Sequence, residues 1–213
     1  MALSSARLLL NFFNATIQEK YTYAFEDLIA AIADIRRHMP LWKAQGHDVL
    51  AFEEAIPAWT SSIITYMVEG QIRKPGGMPT SGDLGVLRWA ASLLDADTPS
   101  LSESQRGDIR EMVNAARGVL RDDGTLPESL RLHIMTLLLH VESVLDNFEV
   151  MGDFALEDAV ERLLGAMRFA ENVSTSEPNA WQKFYRDWVQ PVATAILGGS
   201  PNTALALTTL LGG

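Results

Sequence analysis

Along residues 125–170 the apolar side chains recur at steps of three and four, a period that an α-helix satisfies and a strand does not. Leu130, Ile134, Leu137, Val141, Val144 and Phe148 form one stripe, and Leu156, Val160, Leu163, Leu164 and Met167 form a second. Between them Met151, Gly152 and Asp153 spell a tight turn, with Asp153 placed to cap the second helix. Thr125 and Glu128 have the spacing of a capping box, and Pro127 falls in the first turn, where its missing N–H costs nothing. A helical hairpin of this length must bury two apolar stripes, so it predicts a scaffold on which other helices pack.

The same period runs through the rest of the chain. A first helix opening after Ser4 or Ser5 carries Leu8, Leu9, Phe12, Phe13 and Ile17. Tyr21, Phe25, Leu28, Ile32, Ile35 and Met39 then follow a coiled-coil-like seam, which Pro40 is expected to end. A segment from Asp48 is expected to be interrupted at Pro57, with Ile56, Trp59, Ile63, Tyr66 and Met67 continuing a stripe to about Gly70. Residues 73–83 hold two prolines and three glycines and read as a linker. Beyond it Asp83 can cap a helix with Leu84, Leu87, Ala91 and Leu94. Ser102 and Gln105 form a second capping box, opening a helix with Ile109, Met112, Val113, Ala116, Val119 and Leu120; Asp122, Asp123 and Gly124 stop it. No run of strict alternation occurs, and no fixed-period repeat. The expectation is an all-α bundle of about nine or ten helices with no sheet: a helical subdomain at 1–72, a linker at 73–83, and a bundle at 84–213 ending in an uncharged tail at 188–213.

Composition narrows the function. A formal charge of −10 disfavours binding to nucleic acid, where Lys and Arg must displace counterions. The chain has no cysteine, hence no disulfide framework, thiol nucleophile or thiolate metal site. Its first residues hold one arginine and only a short apolar run, which reads as a first helix rather than a signal peptide. A cytoplasmic protein is expected, with peripheral contact at the inner membrane as the alternative.

Catalytic patterns are sparse. His133 and His140 stand two helical turns apart, about 10 Å along the axis, too far to share a metal without a partner helix. No Glu-x-x-His pair, phosphate-binding loop or Gly-x-Ser-x-Gly elbow occurs. His47-Asp48 resembles the dipeptide of HD-type phosphohydrolases; that resemblance implies a metal-dependent hydrolase around His38, His47 and Asp48. The other reading of Gly46-His47-Asp48 is a loop whose aspartate caps the next helix. No cofactor and no metal are expected.

The C-terminal part is the least ordinary. A helix capped by Ser176 displays Trp181, Phe184, Tyr185 and Trp188 with Lys183 and Arg186 interleaved, and Asp187 is the last charged residue. After it Val192, Ile196, Leu197, Leu205, Leu207, Leu210 and Leu211 supply the apolar surface of two short segments split at 198–201. Neither half has the roughly 20 apolar residues that cross a membrane. The aromatic stripe therefore either docks on the bundle or contacts a protein partner, a second copy or a membrane surface. Leu126-Pro127, Leu130, Leu138, Leu145, Phe148, Gly152, Leu156, Ala159 and Leu163-Leu164-Gly165, followed by this aromatic helix and tail, resemble uncharacterised bacterial helical proteins of toxin, immunity and phage-defence neighbourhoods. The resemblance spans about the last 90 residues and brings no catalytic residue. It implies a non-enzymatic interaction or regulatory component of a bacterial conflict system, with a membrane-perturbing effector as the alternative.

Overall fold

Two tryptophans decide how long the N-terminal helices are. In the computed structural model, which describes residues 3–15, 22–69, 78–96, 100–176 and 178–197, the described residues form eight helices and no strand. They are α1 (Ser5–Asn14), α2 (Phe25–Ala44), α3 (Leu50–Glu69), α4 (Ser81–Leu94), α5 (Glu103–Asp122), α6 (Glu128–Asp146), α7 (Phe148–Val173) and α8, which runs from Pro178 to Leu197. The all-α expectation holds, with eight helices among the described residues against the nine or ten expected of the whole chain. Neither Pro40 nor Pro57 ends a helix: both lie inside one. An interior proline costs roughly 3 kcal/mol. Two residues beyond each stands a tryptophan, Trp42 and Trp59, buried to 3% and 0% exposure. Burying about 150–250 Å² of ring at about 25 cal/mol per Å² returns roughly 4–6 kcal/mol, so continuing the helix wins.

The chain divides into two compact units, residues 1–98 with 149–155, and residues 99–148 with 156–213. The division thus falls at 98/99 rather than in the expected linker at 73–83, because α4 packs on α1 and α3. Residues 73–77 of that linker, and Ile17, Tyr21 and Gly70, lie outside the described residues.

In the first unit α1 is the central element, packed between α2 and α4. Ala6, Leu8, Leu9 and Phe12 are fully buried, and the Phe12 ring meets Phe13, Tyr23 and Tyr66 edge-on. Ser4 caps the helix, accepting from the Arg7 N–H. The Ser4 hydroxyl also donates to Asp95 at 2.6 Å, Arg7 Nε donates to the same carboxylate at 2.8 Å, and the Ser5 hydroxyl donates to Asp34 at 2.8 Å. The backbone of Leu3 is held twice: its N–H donates to Asp153 Oδ2 at 2.9 Å, and its carbonyl accepts from Phe154 N at 3.1 Å. On α2 the predicted seam is buried at Leu28, Ile32 and Ile35, while Phe25 is exposed.

The second unit is built on α5, whose Ile109, Met112, Val113, Ala116 and Leu120 are buried and which packs against α6 and α8. The Ser102–Gln105 capping box opens α5 as expected. Two other expected caps differ. Asp83 is the third residue of a box whose cap is Thr80. Thr125 and Glu128 form no box: α6 starts after Pro127 with no side-chain cap, because the Thr125 hydroxyl is taken by Asp123.

The expected turn at 151–153 is a break at one residue. Gly152, within α7, has φ 77° and ψ −172°. This left-handed φ suits glycine, and a Cβ added there would collide with the Leu3 side chain. Gly152→Ala should therefore destabilise by about 2–4 kcal/mol in urea denaturation. Gly165→Ala, at a helical position with open space around it, should stabilise by roughly 0.5–1 kcal/mol.

Candidate functional site: the Asp123 anchor and the aromatic helix

Helix α8 is two α-helical stretches, Pro178–Phe184 and Gln190–Leu197, joined through a π-helical turn, Tyr185–Val189. A π turn inserts one extra residue into the helical register. Its effect here is on which side chains face in. Trp181 and Phe184 are buried to 2% and 3% exposure, and the inward stripe then continues at Val189, Val192 and Ala193. Trp188, which simple α-helical spacing would place inside, is half-exposed. The four aromatics thus separate: Trp181 and Phe184 are core, whereas Tyr185 and Trp188 lie partly at the surface. Ile196 and Leu197 fall at the end of the helix, and Leu205, Leu207, Leu210 and Leu211 lie outside the described residues.

What seats α8 is a carboxylate the sequence does not advertise. Asp123 follows the last residue of α5 and is 3% exposed. One of its oxygens accepts from Thr125 N at 2.9 Å and Thr125 Oγ1 at 2.6 Å; the other accepts from Ser174 Oγ at 2.5 Å and Trp181 Nε1 at 2.8 Å. The Asp123 carbonyl accepts from Arg131 Nη2 at 2.7 Å, and Thr175 N donates back to Thr125 Oγ1 at 3.0 Å. Four segments therefore meet on one side chain: the end of α5, the approach to α6, the end of α7 and the start of α8. A buried charge is tolerable only when its lone pairs are filled. Burial alone would push the Asp123 carboxyl up, but the bonds from Ser174, Thr125 and Trp181 outweigh it and hold it well below its ordinary value.

Tyr185 has the opposite environment. Its hydroxyl is buried and finds no hydrogen-bond partner among the described residues, and its ring lies 5.6 Å from the Arg168 guanidinium carbon. Arg168 pairs with Glu171 at 2.9 Å. Burial first, then the Glu171 charge, push the phenol far above its usual range, against the opposing pull of Arg168.

The histidines do not converge. His38 Nδ1 is 2.9 Å from the Asp34 carbonyl, His47 meets the Trp89 ring edge-on, His133 is exposed, and His140 Nε2 is 3.2 Å from Arg162. Asp48 Oδ1 accepts from Leu50 N at 3.0 Å in an Asx turn just ahead of α3, where Val49 rather than Asp48 holds the cap position. Among the described residues no three His, Asp or Glu side chains gather where they could hold a metal ion.

Sequence reasoning names Trp181 and Phe184 but misses Asp123, Thr125 and Ser174. Asp-x-Thr is visible as a local turn signal; nothing in the chain announces that Ser174 and Trp181 return to it. No family model, no curated protein and no solved structure matches the chain.

The anchor has a pH signature. A carboxyl held below its unfolded pKa of about 3.9 adds stability above that pH and loses it as pH falls toward the folded value. Asp123→Asn should lower stability at pH 7, and the gap to wild type should narrow below about pH 4. Chemical denaturation at several pH values measures both. Trp181→Phe, which removes only the indole donor and some ring, should cost about 1.5–3 kcal/mol.

Proposed function

We propose that this protein is a non-enzymatic α-helical interaction module, a regulatory component of a bacterial conflict system that works in the cytoplasm by protein–protein association. Its contact surface is the outer side of α8 together with the uncharged chain that follows. The observation that carries this reading is the division of labour within α8. Trp181 and Phe184 are spent on seating the helix, while the π turn leaves Trp188 half-exposed where the uncharged stretch 188–213 begins. A seated helix presents its outer face rigidly, which lowers the entropy lost on binding. Within the same unit Leu132 and Leu139, two turns apart on α6, and Phe169 and Val173 on α7 are large exposed apolar residues.

A membrane-perturbing effector is the competing reading. Among the described residues no helix is long and apolar enough to cross a membrane, so this alternative rests on the uncharged tail alone. The phosphohydrolase reading receives no support from the positions of His38, His47 and Asp48.

Light scattering on the full chain and on a chain ending at Leu197 tests the proposal. The full chain should form a larger particle and the shortened chain a smaller one; two monomers of equal size would count against it. Flotation of both with liposomes separates the membrane alternative, which requires that only the full chain float. Trp188→Ala should cost less than about 1.5 kcal/mol of stability, against roughly 3–5 for Trp181→Ala, yet should weaken assembly.

A further inference from the structure

Helices α2 and α3 enclose an open groove of about 580 Å³, within the roughly 300–1,000 Å³ of small-molecule sites. Its floor is apolar: Met39 on α2, Val49 just before α3, and Ile56 on α3. At its sides stand Arg36 and Lys43, both exposed and seven residues apart on one face of α2, about 10 Å along the axis. Arg37 and His38, their neighbours on the same helix, face Asp34. Arg36 and Lys43 make no ion pair among the described residues. In a chain of net charge −10, two such cations beside an apolar floor are a local exception. Glu53 on the opposite wall is one carboxylate against those two cations.

The groove therefore offers an apolar bed with two cations at turn-spaced positions beside it.

We propose that the α2–α3 groove binds a soluble small organic anion with an apolar body, its acid group held by Arg36 and Lys43 and its body laid on Met39, Val49 and Ile56. This proposal stands or falls independently of the association reading.

Isothermal titration of the full chain with dodecanoate, below its micelle-forming concentration, tests it. Saturable one-to-one binding is expected, while dodecyltrimethylammonium (same chain, opposite charge) and acetate (head without chain) should not saturate. Arg36→Gln with Lys43→Gln should weaken dodecanoate binding by about tenfold or more, and Arg36→Lys with Lys43→Arg should retain it within about twofold. These four substitutions are on exposed positions, and circular dichroism checks that the variants fold. Several results would overturn the proposal: no saturation with dodecanoate, equal binding of the cationic amphiphile, an unchanged affinity in the double glutamine variant, or binding to phosphatidylglycerol vesicles without binding to the free anion.

Discussion

A buried carboxylate that no cation pairs among the described residues is the constraint on which the second unit depends. Asp123 takes four hydrogen bonds from Thr125, Ser174 and Trp181, and each bond to a charged acceptor is worth about 1.5–3 kcal/mol net when the alternative is an unsatisfied ion. The donors Ser174 and Trp181 come from segments 51 and 58 residues away along the chain, so the set assembles only when α5, α7 and α8 have all docked. That makes the anchor cooperative: loss of one donor leaves a buried charge short, and the remaining contacts weaken with it. Trp181 contributes twice, by its ring in the core and by its N–H on the carboxylate.

From this anchor the character of α8 follows. A helix fixed at its start by Trp181 and Phe184 needs its inward face to continue, and the residues available afterwards are Val189, Val192 and Ala193. An α-helical register from Phe184 would bring Trp188 inward instead. The π turn at Tyr185–Val189 adds the residue that makes the shift. The consequence is a helix with a small-residue inner face and an aromatic at its half-exposed side. The first unit solves its polar problem differently: the start of α1 is tied through Ser4, Ser5 and Arg7 to Asp95 and Asp34, so its apolar stripe enters the core in one register.

Much of this was legible in the residues. The three-and-four spacing identified the helical class and most buried positions, because burying an apolar stripe stabilises a helix more than any other contact and its period is local. Ser4 and the Ser102–Gln105 box were readable for the same reason: a cap involves residues three apart. What was not legible depended on distant partners. Pro40 read as a helix end and Pro57 as an interruption because the compensating burial of Trp42 and Trp59 is a tertiary fact. Thr125 read as a cap because its competing partner, Asp123, is satisfied by Ser174 and Trp181 from far along the chain. Trp188 read as equivalent to Trp181 because spacing assumes α-helical turns throughout. Local pattern also hides where a helix packs: a stretch rich in proline and glycine marks a loop, but α4 beyond it packs back on α1.

We propose that Trp181 seats α8 while Trp188 faces the association surface. Indole N–H resonances in ¹⁵N–¹H spectra, assigned by Trp181→Phe and Trp188→Phe, report the two rings separately as the protein is diluted. The Trp188 signal should shift with dilution while the Trp181 signal stays fixed and exchanges slowly with solvent. A Trp181 signal that moves with dilution, or a Trp188 signal that does not, would contradict the account.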